Sequence, residues 1–195
     1  MLDTPTTQHL GQQLARALAP RWGVAVLAAL SRSGGERVFR LHRLLGANPG
    51  TLRKSLESCR QRGWILPNPG HGHPLRPEWL LDPDCMELAR KAAELTAELE
   101  ALGQSELLAA KWALPVLREV GQGADRFRDI REELGLTDRA LALALDLLVT
   151  RGLLIRELHE GHPPGSRYRC DPVSRELLEK LELFVIELGA RTLED

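Results

Sequence analysis

The fold is decided by residues 38–64, VFRLHRLLGANPGTLRKSLESCRQRGW, and by residues 127–153, FRDIREELGLTDRALALALDLLVTRGL. The two stretches align at a spacing of 89 residues, with apolar residues and glycines at matching places. Leu41 aligns with Ile130, for example, and Gly46 aligns with Gly135. Because core positions and turns recur together in one register, the sequence predicts an internal duplication.

The same register continues beyond the two stretches. Asp82-Pro83 aligns with Asp171-Pro172, and Gly72-His73-Pro74 aligns with Gly161-His162-Pro163. Upstream the spacing becomes 90 residues, where Trp22 aligns with Trp112. Both tryptophans are predicted to be core aromatics at the base of a domain.

Each repeat predicts three helices, a hairpin and a final helix, which is the order of a winged helix-turn-helix. Apolar residues at helical spacing predict the second helix, and Gly46 or Gly135 ends it. Asn48 or Thr137 is the expected N-cap of the third helix. The other helices and strands are expected at about 20–32, 64–66, 78–81 and 84–102, and at about 105–121, 153–158, 167–170 and 172–190.

We therefore predict a mainly α fold with small β wings (α+β), built from two tandem winged helix-turn-helix domains plus long connecting helices. The expected domains are an N-terminal helix or arm at 1–19, the first repeat at 20–103 and the second at 104–195. Ser105 is a candidate N-cap for the helix that follows it. An amphipathic helix at Thr6–Leu18 is expected to pack with the two long helices as a central spine.

Charge is distributed unevenly along the 195 residues, although the net charge is only −1. Residues 1–105 carry 13 basic and 10 acidic side chains, and residues 106–195 carry 13 and 17. Eight basic residues and one acid, Glu57, lie between Arg37 and Arg76. Such a local basic block predicts an electrostatic contact with nucleic acid.

The third helix of the first repeat is the main candidate for DNA contact. Leu52, Leu56 and Cys59 have the spacing of a buried face. The rest of the helix is polar and offers groups that can approach base edges or phosphates. A solvated helix face is the alternative interpretation. The candidate contacts here, with one in the wing, are Thr51, Arg53, Lys54, Ser55, Ser58, Gln61, Arg62 and Arg76.

The third helix of the second repeat is mostly apolar. Ala142, Leu143 and Ala144 occupy the positions of Arg53, Lys54 and Ser55. A helix that is apolar on nearly all sides normally packs against something. Two alternatives follow: this copy has lost base reading, or the helix is an interface for a homodimer or a protein partner. The remaining candidates for DNA contact in this repeat are Arg139, Arg151, Arg167 and Arg169.

Motifs for catalysis or cofactor binding are missing from the sequence. It contains no phosphate-binding loop, dinucleotide fingerprint or nucleophile elbow, so we predict neither an enzyme nor a cofactor. The wing-tip histidines lack further zinc ligands at suitable spacing, and no metal is predicted. Three separated cysteines, no membrane span and no signal peptide predict a cytoplasmic, nucleoid-associated protein. These histidines and cysteines are His71, His73, His159, His162, Cys59, Cys85 and Cys170.

Several short sequence motifs lie in the second repeat. They are Lys111-Trp112, Arg126-Phe127 followed by Ile130, Arg151-Gly152-Leu153, and Tyr168 before Asp171-Pro172. On these residues, positions 108–188 resemble the HxlR-type branch of the MarR-like winged-helix transcription regulators. The resemblance implies a bacterial regulator of transcription that binds double-stranded DNA, with third helices in successive major grooves.

Members of that family generally act as homodimers of one domain, so the resemblance implies a covalent pseudo-dimer for a tandem copy. Many members sense oxidants through a cysteine upstream of the tryptophan motif. This sequence has none before Trp22, and the nearest before Trp112 is Cys85, so redox sensing does not carry over. The alternative function is a tandem winged-helix scaffold for protein interaction, which the acidic second half favours.

Overall fold

The computed structural model describes residues 22–68, 77–159 and 165–192. This part of the chain divides into two units, one within Ala17–Ala109 and the other within Ala110–Asp195. Both consist of helices with a small antiparallel sheet. The prediction of a mainly α fold with small β strands is therefore confirmed.

The first unit runs helix, strand, two helices, hairpin, helix. Its elements are α1 (Gly23–Ser33), β1 (Gly35–Arg37), α2 (Val38–Leu45), α3 (Pro49–Gln61), β2 (Ile65–Asn68), β3 (Glu78–Leu81) and α4 (Met86–Ala101), with 3₁₀ turns at Pro83–Cys85 and Ser105–Ala109. α1 packs mainly on α4, where Leu27 and Leu30 join Leu88 and Leu95 in the core. The predicted apolar stripe of this long helix is thus buried.

The sheet of the first unit has three strands in the order β1-β3-β2. β1 pairs with β3 in antiparallel register, with Gly35 opposite Leu80. This strand was not predicted, because three residues, Gly-Glu-Arg, are too short to display an alternating pattern. In the second unit a single bridge between Arg126 and Arg167 lies at the corresponding place.

The second unit has the same order of helices around a two-stranded sheet. Its elements are α5 (Ala113–Gly121), α6 (Phe127–Leu134), α7 (Asp138–Thr150), β4 (Leu154–His159), β5 (Gly165–Cys170) and α8 (Arg175–Thr192), with a 3₁₀ turn at Pro172–Ser174. α5 packs on α6, α7 and α8. Leu117, Leu145, Leu181 and Phe184 are fully or almost fully buried in this core.

A buried ion-pair cluster lies on α5 within that core. Arg118 is 5% exposed and donates to Glu182 through Nε at 2.8 Å and Nη2 at 2.9 Å. Its Nη1 donates at 3.1 Å to the carboxylate of Glu119, which is 3% exposed. Burial raises the pKa of Glu119 because the charged form loses its hydration.

Helix boundaries recur at the spacing of 89 residues found in the sequence. α2 and α6 start and end at aligned residues, and α3 and α7 are aligned helices of 13 residues each. Gly46 and Gly135 end the second helices with positive φ, as predicted. Asn48 and Thr137 cap the third helices, also as predicted.

Several sequence expectations need correction in the described residues. The helix expected at about 105–121 is a 3₁₀ turn followed by α5, since Pro115 has no N–H and fits only within the first helical turn. Ser105 lies inside that 3₁₀ turn and is not an N-cap. Trp22 and Trp112 are half-buried rather than core residues, because each lies at the N-terminal end of its helix.

The helix predicted at Thr6–Leu18, and with it the central spine, lies outside the described residues. Leu107 is buried and lies in the 3₁₀ turn at Ser105–Ala109, which falls within the first unit. In the described segments, no helix combines the length and the apolar character that crossing a membrane requires.

Candidate nucleic-acid interface

The third helix of the first unit, α3, begins at a well-formed cap. The Asn48 side-chain oxygen accepts a hydrogen bond from the Gly50 N–H at 2.9 Å, and Pro49 occupies the first helical position. Proline suits that position because its missing N–H would have no helical partner there. Asn48 and Pro49 thus determine the residue at which the helix starts.

The buried face of α3 consists of Leu52, Ser55, Leu56 and Cys59. Three of these were predicted, and Ser55 was predicted to face the groove. That prediction is wrong: Ser55 is 1% exposed, and its hydroxyl accepts a hydrogen bond from the Trp22 N–H at 3.4 Å. A polarity pattern assigns serine to the solvent-exposed face. It therefore fails for a serine that lies on the buried face, where its hydroxyl can form a hydrogen bond within the protein.

The outer face of α3 presents two exposed cations, Arg53 and Lys54. Neither makes an ion pair with any residue in the described parts of the chain. Thr51 and Ser58 lie beside them and are half-buried. The pair of cations can therefore donate to an incoming phosphate or base edge without first breaking an internal bond.

The C-terminal end of α3 is more strongly bonded. Arg60 donates to Glu57 through Nε at 2.9 Å and Nη2 at 2.6 Å, and Gln61 donates to the same carboxylate at 3.2 Å. The hydrogen bond from Arg60 lowers the pKa of Glu57, which stays ionised. The Arg62 guanidinium lies 5.1 Å from the Trp64 ring centroid. Within α3, the cations that make no ion pair with described residues are therefore Arg53 and Lys54.

Burial also decides the chemistry of the cysteine in α3. Cys59 is completely buried, and burial raises the pKa of its thiol to about 12. The thiolate is the reactive form of cysteine, so this residue packs as a small apolar side chain. Its predicted core position is confirmed.

The aligned helix of the second unit, α7, presents a different surface. Leu143 occupies the position of Lys54 and is 63% exposed, and Ala142 occupies the position of Arg53 and is exposed as well. The exposed charges of the same face are Arg139 and Asp146. A groove of about 650 Å³ lies between α7, Phe127 and the β4–β5 hairpin. This face is apolar with balanced charge.

The predicted wing cations of the second unit are already paired with acids. Arg167 donates to Asp125 at 2.7 Å, and Arg169 donates to Glu157 at 2.6 Å. Arg151 is exposed just after α7. A phosphate would therefore compete with internal carboxylates at Arg167 and Arg169, which weakens both as DNA contacts.

An apolar and basic patch on α2 was missed by sequence reasoning. Phe39 is 72% exposed and Leu44 is 59% exposed, and together with Arg37, Arg40 and Arg43 they line a shallow pocket of about 470 Å³. The Arg43 guanidinium lies 6.0 Å from the Phe39 ring centroid. The arginines of the patch belong to the basic block between Arg37 and Arg76, and the signal for its apolar part was that Phe39 falls off the helical stripe of Leu41 and Leu45.

Some predicted positions fall outside the described residues. Arg76 is one of them, as are His71, His73 and His162, and the side chain of His159 is likewise not described. Among the described residues of the first unit, the candidate interface is therefore the outer face of α3 with its two exposed cations, Arg53 and Lys54.

Comparison with known proteins supports the helix-turn-helix character of the second unit. Residues 107–194 match the HxlR-like helix-turn-helix family. A protein of Mycobacterium tuberculosis strain CDC 1551, described as an uncharacterised HTH-type transcriptional regulator, is 33% identical over 89 residues. Escherichia coli K12 YtfH, described in the same words, is 29% identical over 73 residues.

These matches cover parts of each protein. They span 45% and 37% of this chain, and 56% and 58% of the two relatives, so the chain spans just over half the length of the curated relatives it matches. No solved structure matches. Residues 107–194 are therefore similar to the HxlR-like helix-turn-helix family.

Proposed function

We propose that the chain is a DNA-binding transcription regulator in which two winged helix-turn-helix units lie in tandem as a covalent pseudo-dimer. The first unit makes the main DNA contacts. The observation that carries this assignment is the outer face of α3, where Arg53 and Lys54 are exposed and free of ion pairs with described residues. The names of the relatives, HTH-type transcriptional regulators, support the same function.

The duplication is supported by the recurrence of structure at one spacing. The buried residues of α3 are Leu52, Ser55, Leu56 and Cys59, and those of α7 lie 89 positions later. The family match covers the second unit alone, so the first unit joins the proposal on its element order and burial pattern. α3 and α7 have the same pattern of buried residues but different outer faces, which suits unequal roles in DNA binding.

Electrostatics supports an asymmetric mode of binding. DNA binding is dominated by neutralisation of phosphates, which requires cations that are not already neutralised. Arg53 and Lys54 meet that requirement, whereas Arg167 and Arg169 are paired with acids. We therefore assign the principal contact to α3 and a minor one to the second unit.

The test is the charge reversal Arg53→Glu with Lys54→Glu, measured by fluorescence anisotropy on a random-sequence duplex at several salt concentrations. We expect affinity to fall by at least roughly tenfold, and the slope of log affinity against log salt to shrink by about 2, since about one unit is lost per phosphate contact. The matched control is Arg128→Glu with Arg151→Glu, which changes net charge equally in the second unit.

The control reversal is expected to cause the smaller loss. Equal losses from both pairs would favour symmetric contact by two units instead of the asymmetric mode. An unchanged affinity after reversal of Arg53 and Lys54 would reject DNA binding through α3.

A protein-interaction scaffold is the second candidate function. The observation that favours it is the apolar outer face of α7, where Leu143 is 63% exposed. A scaffold would show little affinity for the random duplex and no steep dependence on salt. The same titration of the unmodified chain therefore separates the two functions.

A further inference from the structure

The outer face of α7 forms a single stripe along the helix. Arg139, Ala142, Leu143 and Asp146 are exposed, and Val149 is half-buried. Their spacing of three, four, seven and ten residues places them on one side of the helix. The buried residues of α7 lie on the opposite side, so this stripe is additional to the core of the unit.

The stripe has the character of a contact surface. Leu143 is more than half exposed, and the groove of about 650 Å³ beside it is lined in part by Phe127, Val149 and Tyr168. Contiguous apolar surface with a polar rim commonly marks an interaction site. Small Ala142 at the centre allows another helix to approach closely, since interaxial distances depend on the side chains at the contact.

Charge on the stripe indicates what fits it. Arg139 and Asp146 are seven residues apart, about 10.5 Å along the axis, and Ala142 and Leu143 lie midway between them. Neither charge makes an ion pair with any residue in the described segments. A second α7 laid antiparallel about that midpoint places its aspartate against Arg139 and its arginine against Asp146.

The alternatives fit less well. A parallel second copy would bring like charges together at both ends of the stripe. DNA would meet one arginine, one aspartate and an exposed leucine, and the aspartate would repel phosphate. The antiparallel pair leaves each Leu143 over Ala142 of the other copy, as a self-complementary two-fold contact requires.

We propose that α7 is a homodimer interface, in which the α7 helices of two copies of this chain pair antiparallel about the Ala142–Leu143 step. The interface takes the helix out of DNA contact and gives the assembly two α3 helices, one from each chain. The pairing rests on the described surface of α7 and requires no DNA, so it is tested separately from the proposed function.

The test is sedimentation equilibrium of the full chain in the absence of DNA, with charge-swap variants. Arg139→Asp alone and Asp146→Arg alone each place like charges together twice across the two-fold axis. We expect each to weaken dimerisation by roughly tenfold. Combining both substitutions restores opposite charges and should return the dissociation constant to near its original value. That rescue is specific to an antiparallel pairing.

Leu143→Glu should leave a monomer, and Ile186→Glu is the matched control because Ile186 is 60% exposed on α8. Circular dichroism checks that each variant keeps its helices, and the charge swap stands as the test if Leu143→Glu does not fold. A monomeric unmodified chain, dissociation by Ile186→Glu instead of Leu143→Glu, or failure of the double swap to restore the dimer would overturn the proposal. So would a loss of DNA affinity in Arg139→Asp with unchanged sedimentation, which would make the stripe a DNA surface.

Discussion

At the scale of single residues, Glu119 shows how burial and pairing oppose each other. The carboxylate is nearly inaccessible and accepts a hydrogen bond from Arg118, which also binds Glu182 with two further bonds. Burial raises the pKa of Glu119 above its ordinary value of 4.5 despite that partner. Burial, together with the nearby carboxylates of Glu133 and Glu182, therefore outweighs the stabilisation of the charged form by Arg118.

This shift gives a pH-dependent prediction. The folded chain holds the Glu119 proton more tightly than the unfolded chain does, so the stability from this group is present below pH 4.5 and lost as pH rises through the raised pKa. Glu119→Gln should remove that decline and be at least as stable as the parent at pH 7. Urea unfolding followed by circular dichroism across pH 4 to 8 would show this. A marked loss at pH 7 would mean that the charged pair is net stabilising.

The sequence pattern predicts correctly whether a side chain is buried where the polarity of that side chain matches its burial. Leu52, Leu56 and Cys59 were identified from spacing alone, and all three are buried. Ser55 was misassigned because one hydrogen bond satisfies its hydroxyl inside. Arg167 was a candidate for DNA contact, and its ion pair with Asp125 could not be foreseen, because the two residues lie 42 positions apart in sequence and meet only in the folded unit.

At the scale of elements, the start of α3 depends on one side chain. Asn48 accepts the Gly50 N–H and satisfies one of the amide groups that a helix leaves open at its first turn. Asn48→Ala removes this bond and should lower the free energy of unfolding by about 1 kcal/mol. Asn48→Asp keeps an acceptor and should lose much less. Chemical denaturation of both variants decides it, and equal losses would exclude capping as the cause.

Elements bounded by strong local signals could be predicted from sequence, and those without such signals could not. Gly46 marks the end of α2 and Asn48 marks the start of α3. Each signal is local, because Gly46 adopts a positive φ and Asn48 accepts a hydrogen bond from an N–H two residues later. β1 has no such signal, since its three residues become a strand only through β3, more than 40 positions later. The division of residues 105–121 into a 3₁₀ turn and α5 was not predicted, because the effect of Pro115 on the start of the helix was missed.

At the scale of the whole molecule, each unit has a core of its own. In the second unit α5 packs on α7 and α8, and the buried residues Leu117, Leu145 and Phe184 come from these three helices. We predict that a fragment comprising residues 110–195 folds alone and unfolds cooperatively on heating. Leu181→Ala in that fragment should lower the free energy of unfolding by about 2–5 kcal/mol. A fragment without a cooperative transition in circular dichroism would show that its core depends on the first unit.

The separation of inner and outer stripes on α3 has a consequence for how such a protein can change. The buried residues of α3 are Leu52, Ser55, Leu56 and Cys59, while the proposed DNA contacts, Arg53 and Lys54, are exposed and contribute little to the core. A mutation at an outer position can therefore replace one binding partner with another at little cost in stability. Selection for a new target and selection for a folded chain therefore act on different residues of this helix.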